Sequence, residues 1–132
     1  MKKAFTLIEL IFVIVVIGIL SSFALPKLND TREHAIINSV KQDIGSITTA
    51  IKSHYLIKGD ITKISDAIKY NESLWSGSDL FIEYKISSNS CVSIEVDKSS
   101  TVMLNITITP SSHSLCQKLA NLGVSSTKEE LY

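Results

Sequence analysis

The 132 residues carry 13 basic and 13 acidic side chains, so the formal net charge is zero. That length holds one small domain and a membrane segment, and the balance of charge gives no global attraction for nucleic acid. No phosphate loop, Cys-x-x-Cys or Ser-His-Asp motif is present, and His34, His54 and His113 are scattered, so neither a catalytic set, a metal site nor a cofactor site is expected.

The chain starts MKKAFTLIELIFVIVVIGILSSFALP. Lys2 and Lys3 are followed by an apolar run from Phe5 to Leu25 in which Glu9 is the one charge. A helix of about 20 such residues crosses a bilayer core of ~30 Å. Lys2 and Lys3 place the start in the cytoplasm and everything after the run outside the inner membrane; Lys27 blurs this, but Asp30 and Glu33 follow it closely. A carboxylate within a membrane helix costs roughly 2.5–3.5 kcal/mol. Glu9 either snorkels to the nearby interface or pairs with a positive charge at its own depth. A cut after Ala4 would create that charge, a Phe5 ammonium four residues away on the same helix face or on a staggered neighbouring helix.

The residues KKAFTLIEL, leading into an apolar run, resemble the leader and first turns of type IV prepilins and type II secretion pseudopilins. The resemblance covers about the first 30 residues. It implies cleavage between Ala4 and Phe5 by a prepilin peptidase, N-methylation of Phe5, and use of Glu9 in assembly. The family nearly always has Gly before the cut; Ala4 stands there in this chain and is also small. An ordinary secretory signal has a shorter apolar core and a cut beyond it, whereas here the cut lies before the run, which is retained.

Gly18 and Pro26 match the family's mid-helix glycine and its proline. Pro26 removes a donor and crowds the carbonyl of Ser22, and the hydroxyls of Ser21 and Ser22 are expected to help satisfy the freed groups. The stretch from Gly18 to Pro26 is either a tolerated kink or, as the resemblance implies, a weak segment that loses helicity when subunits pack into a filament.

Beyond it, Ile37, Val40, Ile44, Ile47 and Ile51 recur at spacings of three and four, a helical face. Ala35, Ile36, Ala50 and Tyr55 widen it. The opposite face carries Lys41, Gln42, Asp43, Ser46, Thr49, Lys52 and Ser53. The membrane helix therefore continues to about Ile57, giving one helix of roughly 50 residues that ends at Lys58-Gly59-Asp60. A free-standing coiled coil is the other reading of the stripe. The run is short and lacks flanking charge pairs, which favours packing on a sheet.

Ile61, Ile64 and Ile68 predict a short helix to about Tyr70, with Asp60 or Ser65 as N-cap. The segment 71–78 is read as a loop in which Trp75 plugs the core. Phe81–Ile86, Cys91–Val96 and Val102–Thr109 alternate with period two between polar turns, a three-stranded antiparallel meander. Ser112–Leu122 predicts a helix with Leu115, Leu119 and Leu122 on one face and Gly123 as its stop; the tail from Val124 is polar and expected to be mobile.

Cys91 and Cys116 are the two cysteines. Outside the inner membrane such a pair reads as a disulfide, with two buried thiols as the other reading; many pilins carry a C-terminal disulfide loop in a similar position. The acids Asp79, Glu83, Glu95 and Asp97 do not form a calcium loop. Major pseudopilins often carry one, and this tilts the reading toward a pilin or minor pilin-like subunit.

The expected class is α+β and pilin-like: a long N-terminal membrane helix running into a small head with a three-stranded sheet. The expected organisation is a leader at 1–4, a membrane and assembly helix at 5–27, its amphipathic continuation at 28–57 and the head at 58–132. The implied role is structural, in a type II secretion or type IV pilus filament. The implied partners are prepilin peptidase, other pilin or pseudopilin subunits and an inner-membrane assembly platform, with the head in the periplasm. A filament-tip adhesin or DNA-uptake subunit would need a basic and aromatic patch, for which Tyr84, Lys85 and Lys98 are too few. A membrane-anchored periplasmic domain without a filament role is the third reading.

Overall fold

The computed structural model describes residues 3–131, apart from the side chains of Leu25 and Pro26. The expectations placed on Met1, Lys2 and the Pro26 ring lie outside the described residues. The chain falls into two compact units, Met1–Ile36 and Ile37–Tyr132.

The dominant element is helix α1, Leu7–Lys58, of 52 residues. In the first unit every large apolar side chain from Leu7 to Phe23 is exposed. The hydroxyls of Ser21 and Ser22 donate to the carbonyls of Ile17 (2.7 Å) and Ile19 (2.6 Å). The sequence predicts that they serve the groups freed at Pro26. A serine on a helix reaches back three or four residues, so both bonds fall one turn too early. Gly59 ends the helix with φ +74° and donates to the Tyr55 carbonyl at 2.8 Å, a left-handed stop that a Cβ would strain.

In the second unit the predicted stripe is the core of the helix. Ile37, Val40, Ile44, Ile47 and Ile51 are all buried. At about 1.5–3 kcal/mol for each such side chain, these five contribute as much as the whole net stability of a small domain, ~5–15 kcal/mol. The head therefore depends on this part of α1.

The sheet has five antiparallel strands in sequential order, not three. They are β1 (Trp75–Gly77), β2 (Phe81–Ile86), β3 (Asn89–Asp97), β4 (Met103–Ile108) and β5 (Thr127–Glu130). The three central strands match the alternating segments. The two edges escape that pattern: β1 has three residues, too few to show a period, and β5 is Thr-Lys-Glu-Glu, exposed throughout. Charged side chains on an edge strand discourage pairing with another chain. The tail expected to be mobile is thus the fifth strand, held at its end by buried Leu131, whose N–H donates to the Val102 carbonyl at 2.8 Å.

Register places apolar residues in rows on one face, Ile82–Ile94–Ile106 and Tyr84–Val92–Ile108. The other face carries Glu83–Ser93–Thr107 and Glu95–Asn105–Lys128. Ser87 and Ser88 form the tip between β2 and β3 with φ of 47° and 70°, the double positive φ that lets a two-residue turn follow the strand twist. The register between these strands shifts at Tyr84/Lys85, where Val92 and Ser90 are successive partners. Cys91 is the extra residue, a β-bulge that interrupts the alternation, and both Cys91 and Val92 are buried.

Two short helices differ from expectation. Helix α2 spans only Ile64–Ala67, because Ile68 is already extended. Its N-cap is Lys63, with no side-chain bond; Asp60 instead accepts from Lys98 Nζ at 2.6 Å. Helix α3 is Ser114–Asn121 and buries Cys116 and Leu119, whereas Leu122 is 43% exposed. Its N-cap is His113, whose Nδ1 accepts from Leu115 N–H, and Gly123 beyond its end has φ +87°.

Candidate functional site

The first residues are not helical: Lys3 to Thr6 precede α1, and Phe5 is 79% exposed. The amide bond between Ala4 and Phe5 therefore lies outside the helix. Glu9 lies in the first turn of α1, where a negative charge suits the positive end of the helix dipole.

Thr6, absent from the residues singled out in the sequence, joins these two features. Its Oγ1 accepts from Glu9 N–H at 3.3 Å, and its carbonyl accepts from the N–H groups of Glu9 (3.1 Å) and Leu10 (3.2 Å). This is an N-cap arrangement: the hydroxyl shares with the Thr6 carbonyl one of the donors of the first turn. The signal was present in Thr6-Leu7-Ile8-Glu9, the spacing of a capping box ahead of an apolar run.

Above this start, α1 is long and apolar enough to cross a membrane by length and composition. Gly18 lies within it, and a Cβ there would meet nothing within 4 Å, so its own unit leaves that surface open. A continuous exposed apolar surface of this extent needs lipid or protein neighbours.

In the second unit, Cys91 and Cys116 form a disulfide with a Cα–Cα distance of 5.1 Å. It ties α3 to β3 across 25 positions of sequence. The side chains weighed for a nucleic-acid patch are engaged within the head. Lys85 pairs with Glu83 at 2.6 Å, Lys98 with Asp60, and Tyr84 is buried against Trp75 with ring centroids 5.5 Å apart. These pairings hold the Asp60 and Glu83 carboxyls below their ordinary values of 3.8 and 4.5, through the Lys98 and Lys85 hydrogen bonds respectively. A cleft of about 340 Å³ runs between Lys52, Leu56, Glu129, Glu130 and Leu131, but its Lys52 and Glu129 are already paired with each other. Among the described residues, no group of three or more His, Cys, Asp or Glu side chains is placed to hold a metal ion.

The prokaryotic N-terminal methylation motif matches residues 1–25. The chain is also 50% identical over 52 residues to the fimbrial protein EcpB of Eikenella corrodens. That match takes in 39% of this chain and 33% of the relative, so it spans about a third of the relative's length. No solved structure matches the chain.

Proposed function

From the N-terminal methylation motif that residues 1–25 carry, we propose that the chain is a pilin-like structural subunit of a type IV pilus filament. The likeness to a fimbrial protein supports a pilus over a secretion filament. The observation that carries the reading is the arrangement at the start of α1: an exposed, non-helical Ala4–Phe5 bond immediately before a capped helix with an acid in its first turn and an apolar surface above it.

The mechanism is assembly rather than catalysis. Prepilin peptidase adds water across the Ala4–Phe5 amide, releasing 1–4 with a new carboxylate and leaving Phe5 with a free amine; the amine then loses a proton and takes a methyl group from a methylsulfonium donor, which leaves as the thioether. The subunit waits in the inner membrane as a single-pass protein with its head in the periplasm. An assembly platform extracts it, and the surface from Leu7 to Phe23 passes from lipid to neighbouring helices. Lipid tails are as apolar as these side chains, so burial alone does not choose a register. The Glu9 carboxylate and a neighbour's Phe5 ammonium do: an unpaired buried charge is costly, and the pair removes that cost only at one stagger. Gly18 and the segment to Pro26 supply local weakness in the helix as it changes surroundings. The Cys91–Cys116 bridge fixes the C-terminal part of the head.

Glu9→Gln and Glu9→Ala test the pairing in cells. Both variants are expected to be processed at the N-terminus and to fail to assemble into filaments. Normal assembly of both contradicts the mechanism.

A further inference from the structure

We propose that Thr6 is a positioning residue for N-terminal processing: by capping α1 it stops the helix short of the Ala4–Phe5 bond and keeps that bond available to the peptidase. The inference rests on the processing assigned above to the same site.

The physical problem is that a helix start is not self-limiting. The first turn of α1 presents unpaired N–H groups, and they are satisfied either by a cap or by further turns added in front. One more turn would make the Ala4 carbonyl accept from Ile8 N–H. The scissile carbonyl would then be held inside a helical hydrogen bond and turned along the helix axis, out of reach of an attacking water. Lys3 at the positive end of the helix dipole opposes this only weakly, and the other side chains ahead of the helix do not oppose it. Alanine is the strongest helix former, and phenylalanine and lysine are tolerated. The sequence Lys3-Ala4-Phe5 is therefore helix-compatible, yet the helix starts at Leu7.

The Thr6 contacts are what separate the two states. The Oγ1 bond to Glu9 N–H and the paired carbonyl contacts to Glu9 and Leu10 satisfy these two donors in place. A capping residue typically has extended rather than helical backbone angles, and residues 3–6 are not helical here. Side chains on a helix lean toward its N-terminus, so fixing the start at Leu7 also fixes how close the Glu9 side chain comes to residue 5. Alanine before the cut makes the cap matter more, because glycine there would weaken the competing helix by itself.

The test is the rate at which the full-length chain in membranes is cut by prepilin peptidase, followed by the mass of the N-terminal peptide. Thr6→Val keeps the shape and removes the hydroxyl; it is expected to slow cleavage by up to about five-fold, the full equilibrium factor of one lost cap. Thr6→Ser restores the hydroxyl and is expected to cut at the parent rate. In the Ala4→Gly background the slowing caused by Thr6→Val is expected to shrink toward nothing, because the competing helix is already disfavoured. Equal rates for the parent and Thr6→Val overturn the proposal. Equal slowing by Thr6→Val with Ala4 and in the Ala4→Gly background also overturns it, since the hydroxyl would then be read directly by the peptidase. A parent chain that is never cut overturns the processing assignment itself, an outcome separate from the other two.

Discussion

Trp75 on β1 donates its indole N–H to the Asp43 carboxylate on α1 at 3.2 Å. The bond locks the first edge of the sheet to the helix, and the ring is 1% exposed. It explains how a strand of three residues can form an edge: its one large side chain is held on two sides, by Asp43 and by the tilted Tyr84 ring.

Removing the donor leaves a partly buried carboxylate short of a partner. A hydrogen bond to a charged group is worth ~1.5–3 kcal/mol. Trp75→Phe is therefore expected to lower the stability of the full chain in detergent by about 2 kcal/mol or more, counting the ring volume lost as well. Asp43→Asn keeps an oxygen acceptor and is expected to cost less. Trp75 is the single tryptophan, so its fluorescence reports unfolding of the Asp43 variants directly, and circular dichroism reports that of Trp75→Phe.

The Cys91–Cys116 bridge closes a loop of 25 positions. In the chain-entropy account such a loop stabilises by roughly 3–4 kcal/mol. Both sulfurs are buried, so the paired Cys91→Ala, Cys116→Ala variant avoids placing hydroxyls in the core. It is expected to melt more than about 10 °C below the parent, and reduction of the parent is expected to reproduce most of that change. A melting point within 2 °C of the parent would contradict a structural role for the bridge.

Acid is expected to loosen the head in a defined window. Asp60 is held below 3.8 by the Lys98 hydrogen bond, Glu83 below 4.5 by Lys85, and Asp97 below 3.8 by the Ser99 backbone N–H. A carboxyl whose folded value is depressed stabilises the fold above its unfolded value and loses that contribution as pH falls through the folded one. Thermal stability is therefore expected to be flat with respect to these groups near neutrality and to decline below about pH 4.5. Lys98→Met is expected to reduce the steepness of that decline. Asp60 is exposed and Glu83 and Asp97 are half-buried, and solvent screening keeps each contribution small.

Much of this was legible in the sequence, for physical reasons that also explain what was not. Period carried the stripe Ile37–Ile51 and the three central strands, because each presents one buried face. The edge strands show no such period: β1 buries Trp75 alone in three residues, and every residue of β5 is exposed, so its pairing by backbone bonds leaves no alternation to read. Leu131 was the one hint, an apolar residue after a polar run. The α2 cap went to Lys63 because Asp60 had a stronger partner in Lys98, 38 positions away, a contact no local pattern reveals. Thr6 is the opposite case, since its capping spacing to Glu9 was fully present. Glu9 is both an acid within an apolar run and an ordinary first-turn residue of a helix, and the second property is the one Thr6 pairs with.

The most direct measurement is the mass of the N-terminal peptide of this protein in the membrane fraction, with and without prepilin peptidase. The account predicts a chain starting at Phe5 and heavier by one methyl group when the peptidase is present, and the uncut precursor when it is absent. An uncut precursor in both, with Ala4 still joined to Phe5, would contradict processing and leave a membrane-anchored domain in place of a filament subunit.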